Sequence, residues 1–342
     1  MSLQLTSKQL ATICDAFGFA DAKLGEPVGV SGGFSGAGVW KIEIDARNYA
    51  LRRWPAESLP RPRILGLHRL LKWWHSCGFP EFAVPCSTIY GSTLLHLDGE
   101  EWQLEPWMPG VADFHDVPTD ERLRAACTWL ARLHLVSASY QPDEASREWF
   151  FAVSQGGSPN VGERLELIRA WNASRVHKTA ARLELVRNDS IRELLLRIFA
   201  VVPQHFQNVG EELRGAMAFR VPLFPCLRDL WHDHLLFTGE RLTGVVDPSA
   251  CRTESPAADL SRLLGSLFPM EKTGWDRALE HYAAVRQLTF EERQLIEVLD
   301  RSQVVLSGLY WGDRLAEMRE DCGLPDGLQQ RLQVVVERLG RL

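Results

Sequence analysis

The most constraining feature of this sequence is a polar loop followed by a predicted β-hairpin. The loop reads Cys-Leu-Arg-Asp-Leu-Trp-His-Asp-His over residues 226–234. Two mostly apolar runs follow, and the Thr-Gly-Glu-Arg sequence between them is typical of a turn. Such a hairpin returns the residue after its second strand to the loop before its first strand. We therefore expect the carboxylates of Asp229 and Asp247 to lie close together.

Length and composition favour a folded chain with a large core. The 342 residues are 45% hydrophobic, which is enough for one large domain or two lobes. The seven cysteines are odd in number and form no Cys-x-x-Cys pair, a pattern that fits reduced thiols better than disulfides or a zinc site. A formal net charge of −6 argues against a nucleic-acid partner.

Targeting and membrane signals are missing from the sequence pattern. No apolar run approaches the roughly 20 residues that span a bilayer, and the first residues do not combine a basic region with an apolar one. We therefore expect a cytoplasmic location and no membrane partner. The sequence leaves the oligomeric state open.

Hydrophobic periodicity predicts a small sheet with flanking helices in the first third of the chain. Helices are predicted at residues 10–17 and 63–77, and strands at 27–30, 39–44, 49–54, 88–97 and 101–107. Pro106 and the Pro109-Gly110 pair then break the pattern, which indicates a hinge.

The remainder of the sequence is predicted to be mostly helical, apart from the central hairpin. The predicted helices are at residues 123–136, 163–187, 191–206, 257–267, 275–286, 290–318 and 327–339. The chain is therefore predicted to be an α+β protein with two lobes, residues 1–109 and residues 110–342.

A glycine-rich segment, residues 31–38, lies between two predicted strands. Its Ser-Gly-Gly-Phe-Ser-Gly-Ala-Gly sequence allows backbone N–H groups to approach an anion closely. An ordinary flexible turn explains the same glycines, and both interpretations stay open. The segment lacks the Gly-Lys-Ser/Thr ending of a P-loop and is not followed by a predicted helix, as a Rossmann motif would be.

Four segments together resemble the aminoglycoside phosphotransferase and choline kinase group of the protein-kinase-like fold. They are the glycine-rich segment, the strand with Arg52, the hinge at residues 103–110, and the region from Asp229 to Asp259. The resemblance implies a small β-sheet lobe with one helix and a larger, mainly helical lobe. It also implies transfer of the ATP γ-phosphate to a hydroxyl of a small-molecule substrate, with Mg²⁺ as cofactor. GTP and Mn²⁺ are left open as alternatives.

The resemblance assigns roles to the residues of the loop and hairpin. Asp229 takes the place of the catalytic aspartate, and Asp247 that of the metal-binding aspartate. Two substitutions depart from the family pattern, because Leu227 stands where a histidine is usual and His234 where a metal-binding asparagine is usual. The resemblance implies that His234 is a metal ligand. Because histidine binds Mg²⁺ poorly, two alternatives stay open: His234 donates a hydrogen bond to a phosphate oxygen, or it packs the loop.

Other residues are assigned to the nucleotide or to bracing in the same way. Gly32, Gly33, Ser35 and Gly36 would cradle phosphate, and Arg52 stands where the fold places its phosphate-binding lysine. No acidic residue occurs at positions 58–80, so the sequence shows no local ion-pair partner for Arg52. The hinge residues Glu105, Trp107 and Met108 would contact adenine, although Trp107 and Met108 also suit the core. Asp259 is expected to cap a helix and brace the loop, and His134 to be a core or bracing histidine.

Two other functions remain open from the sequence. One is a pseudokinase, a binding module that retains the fold but not the chemistry. The other is a metal hydrolase built on His232 and His234, which lacks further ligands at suitable spacing. The acceptor pocket is expected to include residues 147–217. The carboxylates of Asp113, Asp116, Asp120 and Glu121 either favour an aminated substrate or form a solvated loop.

Overall fold

A computed structural model describes residues 5–19, 23–27, 38–55, 59–317, 324 and 327–342. The chain is a mixed α+β protein, with an antiparallel sheet in its first third and mostly helices after it, as the sequence predicts. The α-helices are α1 Ser7–Ala16, α2 Arg61–Ser76, α3 Asp120–Ser137, α4 Pro159–Ala170, α5 Ala173–Leu183, α6 Asp189–Val201, α7 Phe206–Ala216, α8 Pro256–Leu267, α9 Lys272–Ala283, α10 Phe290–Glu317 and α11 Leu328–Leu339. The strands are β1 Lys23–Pro27, β2 Gly38–Ile44, β3 Arg47–Trp54, β4 Leu95–Leu97, β5 Glu100–Pro106, β6 Val153–Gly156, β7 Val221–Cys226, β8 Leu235–Thr238, β9 Arg241–Val245 and β10 Arg252–Glu254.

The first five strands form one antiparallel sheet in the order β1-β2-β3-β5-β4. Alternate residues of β2 are buried, as expected of a strand with one face in a core. Trp40, Ile42, Leu51, Trp102 and Leu104 pack there against helix α1. The side chains of Thr6 and Gln9 form a capping box that starts α1.

Helix α2 connects the sheet to the helical part of the chain. Ile64 packs in a cluster with Trp54 of the sheet. Leu67, Leu70 and Trp74 belong instead to the large core that the later helices share. The indole of Trp74 also donates a hydrogen bond to Ser137 of α3, at 2.9 Å. Because one helix is built into both cores, the sheet and the loop at residues 226–234 are held in a defined relative position.

The structure corrects several predicted elements. The strand predicted at residues 27–30 is instead Lys23–Pro27, and residues 28–30 lie outside the described part. Only Leu95–Leu97 of the predicted strand 88–97 is extended. The helix predicted at 163–187 is two helices, because the Asn172 side chain caps the start of α5.

The sequence patterns also missed some elements of the helical part. Helix α7 and the three-stranded sheet β10-β7-β6 were not predicted. Met318, the predicted end of the longest helix, lies outside the described residues. Within the described residues, no helix has both the length and the apolar character needed to cross a bilayer.

Candidate active site

The predicted hairpin is present and closes the loop as expected. Strands β8 and β9 pair antiparallel, with Gly239 at a positive φ of 59° in the turn between them. The Val246 N–H donates to the His234 carbonyl at 3.0 Å. This bond places Asp247 directly beside the loop that contains Asp229. The charges of both carboxylates act on the His234 imidazole, which lies near each of them.

Asp247 is in a left-handed conformation, with φ of 54°, which turns it out of the hairpin. Its Oδ1 lies 3.2 Å from Nη1 of Arg52 on β3. Burial opposes the ionisation of Asp247, but the charge of Arg52 and the hydrogen bonds from Ser249 and Arg52 outweigh it and hold the pKa of this carboxyl below its ordinary value. Asp247 therefore presents an ionised oxygen ligand, the kind that Mg²⁺ prefers.

Asp229 is half exposed and is held from one side by an arginine of α8. The Nε–H of Arg262 donates to Oδ1 of Asp229 at 2.7 Å. The preceding Arg228 has a positive φ of 66°, an unfavourable conformation for a residue with a side chain. That turn is stabilised by Asp259, whose carboxylate accepts the backbone N–H groups of Leu227 and Arg228.

A buried polar network supports Asp259. His134, which is fully buried, donates from Nε2 to Oδ2 of Asp259 at 3.0 Å and accepts at Nδ1 from the hydroxyl of Tyr282 at 2.8 Å. Burial lowers the pKa of His134, in agreement with this neutral form. His134 is thus the bracing histidine that the sequence predicts. Asp259 braces the loop but does not cap the helix, because the Ser255 side chain is the N-cap of α8.

His234 is oriented by its neighbour Trp231. The indole Nε1–H of Trp231 donates to Nε2 of His234 at 2.7 Å. An imidazole nitrogen that accepts a hydrogen bond carries no proton, so the neutral ring is protonated at Nδ1. Burial lowers the pKa of His234, which favours this neutral form. The Nδ1–H bonds to the backbone of Asp229, and a protonated ring nitrogen is a donor, suited to an anionic oxygen and not to a cation.

Arg52 lies beside a second carboxylate, that of Glu105. Arg52 pairs with Gln103 across β3 and β5, and Glu105 follows on the same face of β5. The Gln103 amide donates to Glu105 at 2.5 Å. Burial raises the pKa of Glu105, while the charge of Arg52 opposes that rise. Arg52 thus lies between Asp247 on one side and Glu105 on the other.

Helix α2 contributes a neutral histidine to the same polar group. His68 accepts from the Thr93 hydroxyl at 2.7 Å and donates to Oε1 of Gln103 at 2.8 Å, and Trp54 donates to the same oxygen. Burial lowers the pKa of His68 to about 4. These bonds fix the Gln103 amide so that its NH₂ group faces Glu105. A small cavity remains between the sheet and the hairpin, lined in part by Arg52, His68, Glu105 and Ser249.

The hinge residues lie against the hairpin. The Trp107 N–H donates to the Asn48 carbonyl at 3.0 Å, and the Lys41 ammonium lies 5.0 Å from the centre of the Trp107 ring. A Cβ at Gly244 would lie 2.9 Å from Cβ of Met108, so a glycine permits this close approach. Trp107 and Met108 are both partly exposed and are not core residues. Among the described residues, the Met108 N–H has no acceptor.

Several other predicted site residues are outside the site or outside the described chain. Gly32, Gly33, Ser35 and Gly36 lie outside the described residues. Of the four acids considered for an aminated substrate, Asp113 pairs with Arg122 at 2.9 Å, Asp120 with His281 at 3.1 Å and Glu121 with Arg124 at 3.8 Å. Asp113 and Glu121 are thus paired with arginines of the same chain, and Asp120 with a histidine.

The metal-hydrolase alternative finds no support in the geometry. Over the described part of the chain, one group of three potential metal ligands lies close together, and it consists of His134, Cys226 and Asp259. That group is fully buried, and its imidazole nitrogens are used by Asp259 and Tyr282. The Nε2 atom of His232 lies 3.1 Å from Asp233, and that of His234 accepts from Trp231.

Sequence reasoning missed three residues that surround Asp229. The guanidinium carbons of Arg331 and Arg262 lie 4.3 and 5.4 Å from the centre of the Trp231 ring. Arg262 was detectable in principle, because it lies one helical turn after Asp259 on a helix that the sequence predicts. Arg331 comes from α11, about 100 residues later in the chain, and no local signal indicates its position.

Comparison with known proteins identifies the family and the fold of the chain. A model of the phosphotransferase enzyme family matches residues 27–297. The curated proteins contain no significant match. An amicoumacin kinase in complex with AMP-PNP and Ca²⁺ superimposes with a TM-score of 0.66 and 13% identity, covering 99% of this chain and 94% of that chain.

Two further solved structures share the fold. A spectinomycin phosphotransferase in complex with ADP and spectinomycin gives a TM-score of 0.64 at 11% identity, covering 98% of both chains. A microcompartment-associated aminopropanol kinase gives 0.61 at 11% identity, covering 98% of this chain and 95% of that chain. At these identities, the superpositions establish the fold, which is that of the kinase-like phosphotransferases.

Proposed function

Because the chain belongs to the phosphotransferase enzyme family, we propose that it transfers the γ-phosphate of ATP to a hydroxyl of a small polar acceptor. The observation that carries the proposal is the convergence of Arg52, Asp247 and His234 next to Asp229. Residues 1–109 would form the nucleotide-binding lobe. Residues 110–342 would contain the catalytic loop and the acceptor pocket.

Asp247 fits a magnesium ion bound to the nucleotide. Its carboxyl is ionised by its neighbours, and carboxylate oxygen is a preferred Mg²⁺ ligand. In the part of the chain that the structure describes, Asp247 belongs to no group of three close protein ligands, so nucleotide phosphates and water would complete the coordination. The metal would neutralise charge on the phosphates. Mn²⁺ would suit the same ligand.

His234 would serve the nucleotide as a hydrogen-bond donor. Its ring is neutral, and the lone pair on Nε2 is engaged by Trp231. When nucleotide binds, the Nδ1–H would turn from the Asp229 backbone to a phosphate oxygen. We therefore prefer the phosphate role to the metal role for this residue.

Arg52 and the hinge would hold the two ends of the nucleotide. A guanidinium can form two parallel hydrogen bonds with a phosphate and remains charged at any physiological pH. Met108 offers to the adenine edge a backbone N–H that has no acceptor among the described residues. The side chain of Glu105 faces Arg52, so its proposed role is to position that cation. Backbone recognition at the hinge leaves ATP and GTP as candidate donors.

Asp229 would act as the general base. Its Oδ1 is held by Arg262, which leaves Oδ2 to accept the proton of the acceptor hydroxyl. Oriented in this way, the hydroxyl oxygen would attack the γ-phosphorus in line with the leaving ADP. Arg262, Arg331 and Trp231 surround this position and would contact the acceptor.

A nucleotide-binding pseudokinase is the second candidate. It is favoured by one observation, namely that both essential carboxylates are ion-paired with arginines of the same chain. Such a protein would bind nucleotide without transferring phosphate. Product formation separates the two functions directly.

The test is a panel of hydroxyl compounds, incubated with ATP or GTP and Mg²⁺ and analysed by mass spectrometry. Amino alcohols, sugars and antibiotics belong in the panel, since relatives of this fold are named for acceptors as different as aminopropanol and spectinomycin. We expect at least one acceptor to gain one phosphoryl group with matching release of ADP or GDP. Nucleotide binding without any phosphorylated product would favour the pseudokinase.

A further inference from the structure

Three arginines from three elements surround one carboxylate next to the catalytic loop. Arg228, which immediately precedes Asp229, forms an ion pair through Nη2 with Oε2 of Glu163 on α4. Arg252 of β10 contacts the other oxygen of Glu163 at 3.3 Å. Arg63 of α2 donates to the Cys251 carbonyl at 3.4 Å and lies near both other guanidinium groups. We call Arg63, Arg228 and Arg252 the arginine cluster.

The cluster has more positive charge than its surroundings neutralise. Two further ionisable groups lie beside Arg228, the guanidinium of Arg164 and the carboxylate of Glu254. Within the cluster itself, three arginines face the single carboxylate of Glu163, an excess of two positive charges. Glu254 is already engaged by the Ser158 hydroxyl and by the N–H groups of Asn160 and Ser255. Burial lowers the pKa of Arg63, and the charges of Arg252 and Arg228 add to that effect.

The cluster also contains hydrogen-bond donors without acceptors. The Nε atoms of Arg63 and Arg228 are buried, and neither has a partner among the residues that the structure describes. Buried donors are almost always satisfied in native proteins, because water no longer solvates them. Solvent does not reach these Nε atoms, so an anion would bind at the outer N–H groups of the same guanidinium groups and would compensate their excess charge.

We propose that the arginine cluster is a binding site for a phosphate group, separate from the nucleotide cleft. Phosphate matches this site because it offers several strong acceptors and up to two negative charges, and guanidinium groups bind it through paired hydrogen bonds. A bound phosphate would connect α2, the catalytic loop and β10 through one ligand. Free inorganic phosphate and the phosphate of a metabolite present the same chemistry.

Calorimetric titration with inorganic phosphate tests the proposal at constant ionic strength. The 342-residue protein is used with Mg·AMP-PNP in excess, so that the γ-phosphate position of the nucleotide cleft is also filled. We expect phosphate to bind, and Arg252→Gln to weaken this binding about tenfold because one charge-assisted contact is lost. Arg124→Gln, an exposed ion-paired arginine elsewhere, is the control and should leave it unchanged. Equal affinities for the Arg252 and Arg124 variants would overturn the proposal.

Glu163→Gln gives a test of opposite sign. The substitution removes the carboxylate that competes for the arginines, so phosphate affinity should increase. Phosphate should also raise the unfolding temperature of this variant more than that of the wild type, since the variant has lost its internal counterion. To distinguish the two sources of phosphate, the same titration is repeated with a phosphomonoester. Tighter binding of the phosphomonoester than of inorganic phosphate would identify a metabolite as the ligand. Unchanged or weaker phosphate binding in Glu163→Gln would contradict the site.

Discussion

Nη1 of Arg52 lies 3.2 Å from Oδ1 of Asp247, although the two residues are 195 positions apart in the sequence. The cation assigned to phosphate and the carboxylate assigned to metal therefore neutralise one another before nucleotide binds. The arrangement also answers a question that the sequence left open, because helix α2 supplies no acid for Arg52. A Mg²⁺–nucleotide complex would offer a phosphate to Arg52 and a metal ion to Asp247.

Arg52→Gln should weaken Mg·ATP binding and shift its pH dependence. Arg52 helps to hold the pKa of Asp247 below its ordinary value, so its removal raises that pKa. The acid limit of Mg·ATP binding should then move to higher pH, since Asp247 must be ionised to bind metal. Nucleotide affinity measured across the acidic range checks this. The neighbouring Arg53→Gln serves as the control, and an equal shift in that variant would contradict the assignment.

Asp247→Asn should separate metal binding from nucleotide binding. The amide keeps the shape of the side chain but loses its charge, so Mg²⁺ should no longer improve ATP affinity. Without Mg²⁺, ATP should bind the variant more tightly than the wild type, because Arg52 is released and a repulsive carboxylate is absent. Titrations with and without a chelator provide the measurement. A full Mg²⁺ dependence in the variant would assign Asp247 a structural role.

Arg262→Gln should lower kcat with little change in KM for Mg·ATP. Arg262 contacts Asp229 and not the nucleotide-side residues, and its loss leaves the carboxylate free to rotate. A decrease of about tenfold corresponds to the loss of one charge-assisted hydrogen bond. Arg262→Lys should recover part of the rate, which a purely structural defect would not show. The exposed Arg241→Gln is the matched control on the hairpin.

Acidification should destabilise the protein in a window set in part by His68. Its pKa is lowered from 6.5 to about 4 in the folded protein by burial. Between these values the unfolded chain binds a proton that the folded chain does not, so the free energy of unfolding falls as pH falls from 6.5 to about 4. The slope from this group is about 1.4 kcal/mol per pH unit.

Denaturant unfolding at several pH values tests this contribution of His68. His68→Gln should flatten the pH dependence in that window. His75→Gln, on the exposed side of the same helix, should not alter it. An unchanged slope in the His68 variant would show that other groups cause the acid sensitivity.

The parts of the fold that follow from local patterns were predicted from the sequence. The hairpin follows from two apolar runs around a turn, and α2 follows from apolar residues at helical spacing. Helix α2 begins at Arg61, slightly before its predicted start, because Pro62 suits the first helical turn. The break at Asn172 was missed because an asparagine within a periodic pattern does not by itself reveal a cap.

The residues of the site that depend on distant contacts could not be predicted in the same way. The sequence identified Asp229 and Asp247 through their spacing, but not the partners that set their properties. Arg52 of the sheet meets Asp247 across the cleft, a contact between segments 195 positions apart, and Arg262 meets Asp229 where α8 packs beside the loop. The sequence likewise did not show that Asp113 and Asp120 are paired within the chain, because their partners Arg122 and His281 lie on other elements.

The central claim is that Asp229 deprotonates an acceptor hydroxyl beside a nucleotide whose metal is held by Asp247. The most direct measurement compares Asp229→Asn with the wild type for both phosphate transfer and Mg·ATP affinity, with an acceptor from the panel. We predict that transfer falls by about 10²- to 10⁴-fold, the usual contribution of a general base, while Mg·ATP affinity stays nearly constant. Transfer at the wild-type rate in this variant would contradict the account.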